Sequence, residues 1–209
     1  MPYDHTLPVR EQVHASVASS LHNLRISDDA PTYLDAVLLH SPLRTMDETS
    51  EAWEVLIEYV NKGSIRHIGI SNVELPILER LNASLVPPAI VQNRFYPGMN
   101  YETALRAYCR SVGIIFQSFW TLTGNPMLVT SQVVKDLSER AGVEEAIALY
   151  ALVLGLKNMT VLIGTKQQER MVGDLMGVEL VGEWARGMGK VEWDDLMQRF
   201  RETLGDDEV

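Results

Sequence analysis

Cysteine is nearly absent from these 209 residues: Cys109 stands alone. One thiol forms no internal disulfide and no cysteine-based zinc site, and it fits a reducing compartment. Positive charge is also short. Eighteen Lys and Arg face 28 Asp and Glu, leaving a net charge of −10. With a pI of about 4.9, such a chain repels nucleic acid and anionic membrane surfaces. No apolar run reaches membrane-spanning length, and the opening MPYDHTLPVREQ lacks the apolar centre of a signal peptide. No Gly-x-Gly-x-x-Gly follows a strand, so the Rossmann dinucleotide fingerprint is missing. The expectation is a cytoplasmic protein with neither nucleic acid nor membrane as partner.

What is present is the makeup of a globular domain: 46% hydrophobic and 22% charged residues. Residues 9–24 space Val13, Val17, Leu21 and Leu24 as the buried face of a helix. Residues 34–39 form an apolar run that reads as a strand covered on both faces. A helix follows from Asp47, with Trp53, Leu56, Ile57 and Val60 inward and Gly63 at its end. The alternation continues with strands predicted at 65–71, 89–93, 114–119 and 160–164. Helices are predicted at 75–82, 101–113, 131–140, 144–156 and 167–176, with a tail helix at 192–204. Five strands, each followed by a helix, imply a parallel sheet with helices outside. An open doubly wound sheet and a TIM-type barrel both satisfy that pattern.

Polar or aromatic groups stand where each strand stops. They are His40, Ser71 with Asn72, Gln92, Phe119 with Trp120, and Gly164 with Thr165, and Arg170 lies one turn into the next helix. Singly, each has a structural explanation: a helix cap, a loop tie, a core aromatic, or an Arg170–Asp174 pair at i,i+4. Together they mark the strand edge that faces ligands in parallel α/β folds.

The stretch GSIRHIGISN (63–72) resembles the signature of the aldo-keto reductase family, roughly G-K-I-R-x-I-G-V-S-N. LLHSPL resembles that family's strand ending in its catalytic histidine, and PAIVQNRFYP its P-x-x-x-Q-x-x-x-x-P segment. FQSFWTLTGNP and VLIGTKQQERMVGDL resemble its two cofactor segments, with QSFWTLTGNP closest to fungal members. The resemblance implies NADP(H) as cofactor and a small carbonyl compound as substrate. It implies that Ser71, Asn72 and Gln92 hold the nicotinamide carboxamide and that Phe119 stacks on its ring, where the family has Tyr. Leu122 would lie by the pyrophosphate and Gly164 and Thr165 by the adenosine phosphate, with Arg170 on the 2′-phosphate. Asp174 stands near adenine, where the family has an Asn that can also donate.

The match begins at the family's fourth strand. The expected fold is therefore an incomplete TIM-type (β/α) barrel of about five parallel strands, a single domain over 1–209 lacking the N-terminal part of the barrel. The family's Asp, Tyr and Lys lie in that part. Here no lysine precedes Lys62, and Tyr3 and Asp4 have no matching strands around them. The expectations follow: an NADP(H)-dependent oxidoreductase, impaired, with cofactor binding weakened or lost and His40 as its retained catalytic residue. The strands 34–39 and 160–164 would be bare edges, to be covered by the N-terminal segment or paired in a homo-oligomer, or else left by an incomplete gene product. Pairing or partial opening is favoured over a closed monomer. Two other readings use the same residues: an isomerase, cyclase or dehydratase with His40 as acid or base, and a non-catalytic binding or assembly protein.

Overall fold

In the computed structural model, residues 6–27 and 32–206 are described; Tyr3 and Asp4 lie outside them. The chain divides into two units, residues 1–92 and 93–209. The strands are parallel where their registers are recorded, and their order in the sheet is that of the chain, β1 to β5. Such an order, with a helical connection after each strand, is that of a barrel rather than of a doubly wound sheet, whose order reverses. In that order β1 and β5 are the two terminal strands.

In the first unit α1 spans Val9–Asn23, β1 Leu34–Leu39, α2 Met46–Asn61, β2 Ile65–Ser71 and α3 Leu75–Asn82, followed by the start of β3, Ile90–Arg94. The best-specified element is α2. Thr45 and Glu48 form a reciprocal capping box. At the other end Gly63 adopts φ +72°. Its N–H bonds to the Val60 carbonyl and that of Ser64 to the Tyr59 carbonyl, a Schellman stop that favours glycine. Between these ends Ala52, Trp53, Val55, Leu56 and Ile57 are buried, and Val60 is half-buried. In β2 the residues Ile65, Ile68 and Ile70 are at most 1% exposed. A Cβ on Gly69 would lie 2.4 Å from the Ile90 carbonyl oxygen, so the approach of β2 to β3 requires glycine there.

Two expectations fail in this unit. Of the face predicted for α1, only Val17 is buried, and Leu24 lies beyond the helix, 65% exposed. The helix rests on α2 through polar contacts instead: Arg10 pairs with Glu58, and His14 Nδ1 lies 3.0 Å from the Tyr59 hydroxyl. Strand β1 is not covered on both faces. Leu34 is buried while Asp35 and Ala36 are exposed, because β1 ends the sheet and pairs with β2 alone.

The second unit starts with the last two residues of β3. It contains α4 (Thr103–Val112), β4 (Ile115–Phe119), α5 (Pro126–Val129), α6 (Gln132–Ala141), α7 (Glu145–Leu154), β5 (Met159–Val161), α8 (Gln168–Arg186) and α9 (Lys190–Leu204). Helix α7 is apolar nearly all round and is correspondingly buried. Leu149, Leu152, Val153, Leu137, Leu196 and Phe200 are fully buried with it. Arg106 on α4 is 3% exposed. Its guanidinium grips Asp206, just past α9, with bonds of 2.9 and 2.6 Å. The predicted helix at 101–113 begins only at Thr103, because Asn100, Tyr101 and Glu102 all take positive φ. Strand β5 is three residues long rather than the predicted five. Helix α8 continues past 176 to Arg186. Its Gly177 packs on Ile147, where a Cβ would meet Cδ1 at 2.6 Å, so this glycine serves helix packing rather than a stop.

Candidate active site and nucleotide-binding residues

Two groups at the end of β2 converge on one backbone carbonyl of β3. Ser71 pairs with Gln92 in the β2–β3 register. The Ser71 hydroxyl donates to the Gln92 carbonyl at 2.6 Å, and the Asn72 backbone N–H donates to the same oxygen at 3.1 Å. Asn72 takes φ +52°, a left-handed conformation that Asn tolerates better than most residues. That turn points its side chain back across the strand ends. Asn72 Nδ2 donates to the His40 carbonyl at 2.8 Å and to Ser71 Oγ at 3.1 Å. Its Oδ1 is buried and has no partner. A buried amide oxygen left without a donor is costly, about 1–3 kcal/mol, and is uncommon without a functional reason. Ser71 is 3% exposed and Gln92 half-buried, whereas the His40 side chain is exposed. The imidazole makes no hydrogen bond to the described residues. The structure thus brings the backbone carbonyls of His40 and Gln92 to Ser71 and Asn72.

In the second unit Phe119 ends β4, half-buried. The next residue, Trp120, adopts φ +61°. For a bulky aromatic this is strained, costing roughly 1–3 kcal/mol. Asn125 holds the turn in place. It is 1% exposed, and its Nδ2 donates to the carbonyls of Phe95 at 2.6 Å, Thr121 at 3.0 Å and Trp120 at 3.2 Å. Leu122 is half-buried in that turn, its carbonyl accepting from the Asn125 N–H at 2.9 Å. Arg94, from the end of β3, lies with Cζ 5.5 Å from the Phe119 ring centroid and 4.9 Å from that of Trp120. Sequence reasoning did not single out Arg94 or Asn125. The available signal was an arginine directly after Gln92-Asn93 and ahead of two aromatics.

Gly164 and Thr165 do not end a strand, since β5 stops at Val161; they lie in the coil before α8. A Cβ on Gly164 would meet nothing within 4 Å, so open space adjoins its backbone. Thr165 Oγ1 accepts from the Gln167 N–H at 3.2 Å. Arg170, in the first turn of α8, is exposed. Asp174 is 8% exposed and does not form the contact ion pair with Arg170 that the i,i+4 spacing allows. Burial pushes its carboxyl above the usual aspartate range, the charge of Arg170 opposes this, and Glu144 adds to it.

Other features of the structure lie apart from these residues. A groove of about 450 Å³ runs along α2 and α3, lined by Trp53, Ile57, Leu81 and Leu85 among others. Among the described residues no group of three His, Cys, Asp or Glu side chains is placed to hold a metal ion. None of the described helices is long and apolar enough to cross a membrane. The Cys109 thiol is fully buried, which pushes it up to about 12.

Residues 5–145 match the Aldo/keto reductase family. An uncharacterized oxidoreductase of Schizosaccharomyces pombe is 28% identical over 163 residues, 77% of this chain and 54% of that protein. The glyoxal reductase of Bacillus subtilis is 29% identical over 131 residues, covering 62% and 44% of the two chains. The chain therefore spans about half the length of these relatives or less. Among solved structures, an aldo-keto reductase from a deep-sea metagenome superposes with a TM-score of 0.69, at 17% identity, over 86% of this chain and 68% of its own. A Gox0644 mutant in complex with NADPH gives 0.67 at 21% identity, over 83% and 65%. These two likenesses bear on the fold.

Proposed function

The chain belongs to the aldo/keto reductase family, and on that premise we propose that it is an NADP(H)-binding oxidoreductase acting on a small carbonyl substrate, with turnover impaired. The observation that carries the reading is the buried, partnerless Asn72 Oδ1 beside Ser71 and the His40 carbonyl. A carboxamide N–H is the donor that such an oxygen lacks. In the second unit, taken by itself, other residues have chemistry that suits a nucleotide. Gly164 leaves its backbone open to close approach, and Arg170 offers an exposed planar fork that suits a phosphate. Phe119 offers a ring, though Arg94 already lies against one face of it. Asp174 fits least well, since a buried carboxylate only accepts.

When bound, the cofactor supplies a hydride to the carbonyl carbon. The chain's own residues orient and protonate. Asn72, held in place by its bonds to the His40 carbonyl and Ser71 Oγ, would offer its partnerless Oδ1 to the amide end. His40 is the one titratable side chain of its cluster, exposed and without a hydrogen bond to the described residues, so it is available to donate to a carbonyl oxygen. Among the described residues no Tyr–Lys pair of the kind expected of the family stands beside it. A close Tyr–Lys contact does exist among the described residues, Lys62 Nζ 5.3 Å from the Tyr59 ring. It lies where α2 runs into the start of β2, the opposite end of that strand from Ser71. General acid catalysis contributes about 10²–10⁴-fold, and we propose a loss of that order in aldehyde reduction.

Residues 1–209 act as one domain in this reading, in the cytoplasm. The open edges of β1 and β5 support association of two copies, which concentration-dependent sedimentation would reveal. The deciding experiment is titration of NADPH and NADH by nicotinamide fluorescence. The Arg170→Ala variant is expected to weaken NADPH about tenfold or more and leave NADH unchanged. No NADPH binding by the wild-type chain, or equal weakening of both nucleotides, would end the reading.

A further inference from the structure

Arg94 is half-buried and lies across two aromatic rings, Trp120 at 4.9 Å and Phe119 at 5.5 Å. Its guanidinium makes no ion pair or hydrogen bond with any described residue. The contrast with the buried Arg106 is direct: that guanidinium has both a carboxylate and a carbonyl as acceptors. Stacking occupies the faces of a guanidinium and leaves its five edge N–H donors available. A planar, immobilised fork with free donors is built to take a two-oxygen anion.

The surroundings are shaped to hold that fork. Trp120 is 50% exposed at a positive φ. Its position is fixed from three sides. Asn125 binds its carbonyl at 3.2 Å, and the Gly124 N–H donates to the same oxygen at 2.9 Å. Tyr96 meets its ring edge-on at 5.9 Å. A Cβ on Gly124 would crowd the Trp120 carbonyl at 2.9 Å and Tyr96 Cβ at 3.2 Å, so the turn closes tightly only with glycine. A strained, exposed indole kept in place by a buried asparagine is not explained by core packing, since half of its surface meets solvent. It is explained as one wall of a binding site whose other wall is Arg94.

We propose that Arg94 and Trp120 form an oxyanion-binding site, the guanidinium taking a carboxylate or phosphate and the indole packing on the ligand's apolar body. Resting on the oxidoreductase reading, this makes the substrate an oxo acid rather than a neutral aldehyde. A nucleotide diphosphate presents paired oxygens that would satisfy the same fork.

The test is calorimetric titration of the full chain with phenylglyoxylate, its neutral methyl ester and inorganic pyrophosphate. Wild type, Arg94→Gln and Arg94→Lys are compared, with thermal unfolding as the check on folding. Wild type is expected to prefer phenylglyoxylate over the ester by about tenfold or more. Arg94→Gln abolishes that preference and Arg94→Lys retains part of it. Loss of pyrophosphate binding in Arg94→Gln, without an acid-over-ester preference in wild type, assigns the site to the nucleotide instead. A wild-type chain that binds acid and ester alike and ignores pyrophosphate overturns the proposal without reference to any variant. No nucleotide is needed in these titrations, so a failure of NADPH binding and a failure of the Arg94 site read out separately.

Discussion

Replacing Asn72 separates what its side chain does for the fold from what it does for a ligand. Two hydrogen bonds leave with the amide, to the His40 carbonyl at 2.8 Å and to Ser71 Oγ at 3.1 Å. At about 0.5–1.5 kcal/mol each, their loss costs roughly 1–3 kcal/mol. The partnerless buried Oδ1 leaves as well, which returns about 1–3 kcal/mol. The two nearly cancel, so Asn72→Gly should lie within about 1 kcal/mol of wild type. Asn72→Ala adds the left-handed penalty at φ +52°, about 1–2 kcal/mol. For a chain of this size it should melt roughly 2–8 °C below the glycine variant. NADPH at one hundred times its Kd should stabilise wild type by about 2.7 kcal/mol, or roughly 5–11 °C. Losing the acceptor for the carboxamide, at about tenfold in affinity, should roughly halve that shift in both variants. Scanning calorimetry with and without NADPH reads all four quantities. The reasoning is refuted if Asn72→Gly alone loses several kcal/mol, or if NADPH raises all three proteins equally.

Asp206→Ala should cost about 3–5 kcal/mol, because it strands the buried Arg106 charge. Most of that loss should return in the double variant with Arg106→Met, as followed in urea by Trp184 and Trp193 fluorescence. A single-variant loss below about 1 kcal/mol would show that Asp206 does not serve as the partner. Asp174 carries a folded-state pKa raised above its ordinary value by burial. The folded state therefore binds more protons than the unfolded one across that window, and stability falls as pH rises through it. Asp174→Asn should accordingly raise the melting temperature at pH 7, with a benefit that fades toward pH of about 4; a pH-independent effect would contradict the burial.

Elements were legible where local signals agreed. The α2 helix has a capping box at one end, a glycine stop at the other and an apolar face between, and its predicted extent differs from the observed Met46–Asn61 by a residue or two at each end. Strand 65–71 and helix 75–82 coincide with β2 and α3. The errors have physical causes. Helix α1 has apolar spacing but meets α2 through polar contacts, so periodicity overstated its burial. Helix α8 runs through Gly177 because Ile147 fills the space beside it, which no local reading reveals. Strand β5 stops at Val161, and after one further bond from the Leu162 N–H to the Ser118 carbonyl the apolar residues run on as coil.

The sequence alone determined that this is a parallel α/β chain of the aldo/keto reductase kind, since strand–helix alternation and the ordered GSIRHIGISN, QNRFYP and QSFWTLTGNP segments are local properties. Only the folded chain decided which polar atoms remain unsatisfied. Whether the Asn72 oxygen finds a donor, whether Arg94 meets a carboxylate or two rings, and whether Asp174 lies inside or outside depend on neighbours distant in the chain. Hydrogen bonding and desolvation are set by that three-dimensional company, and it is there that the candidate chemistry resides.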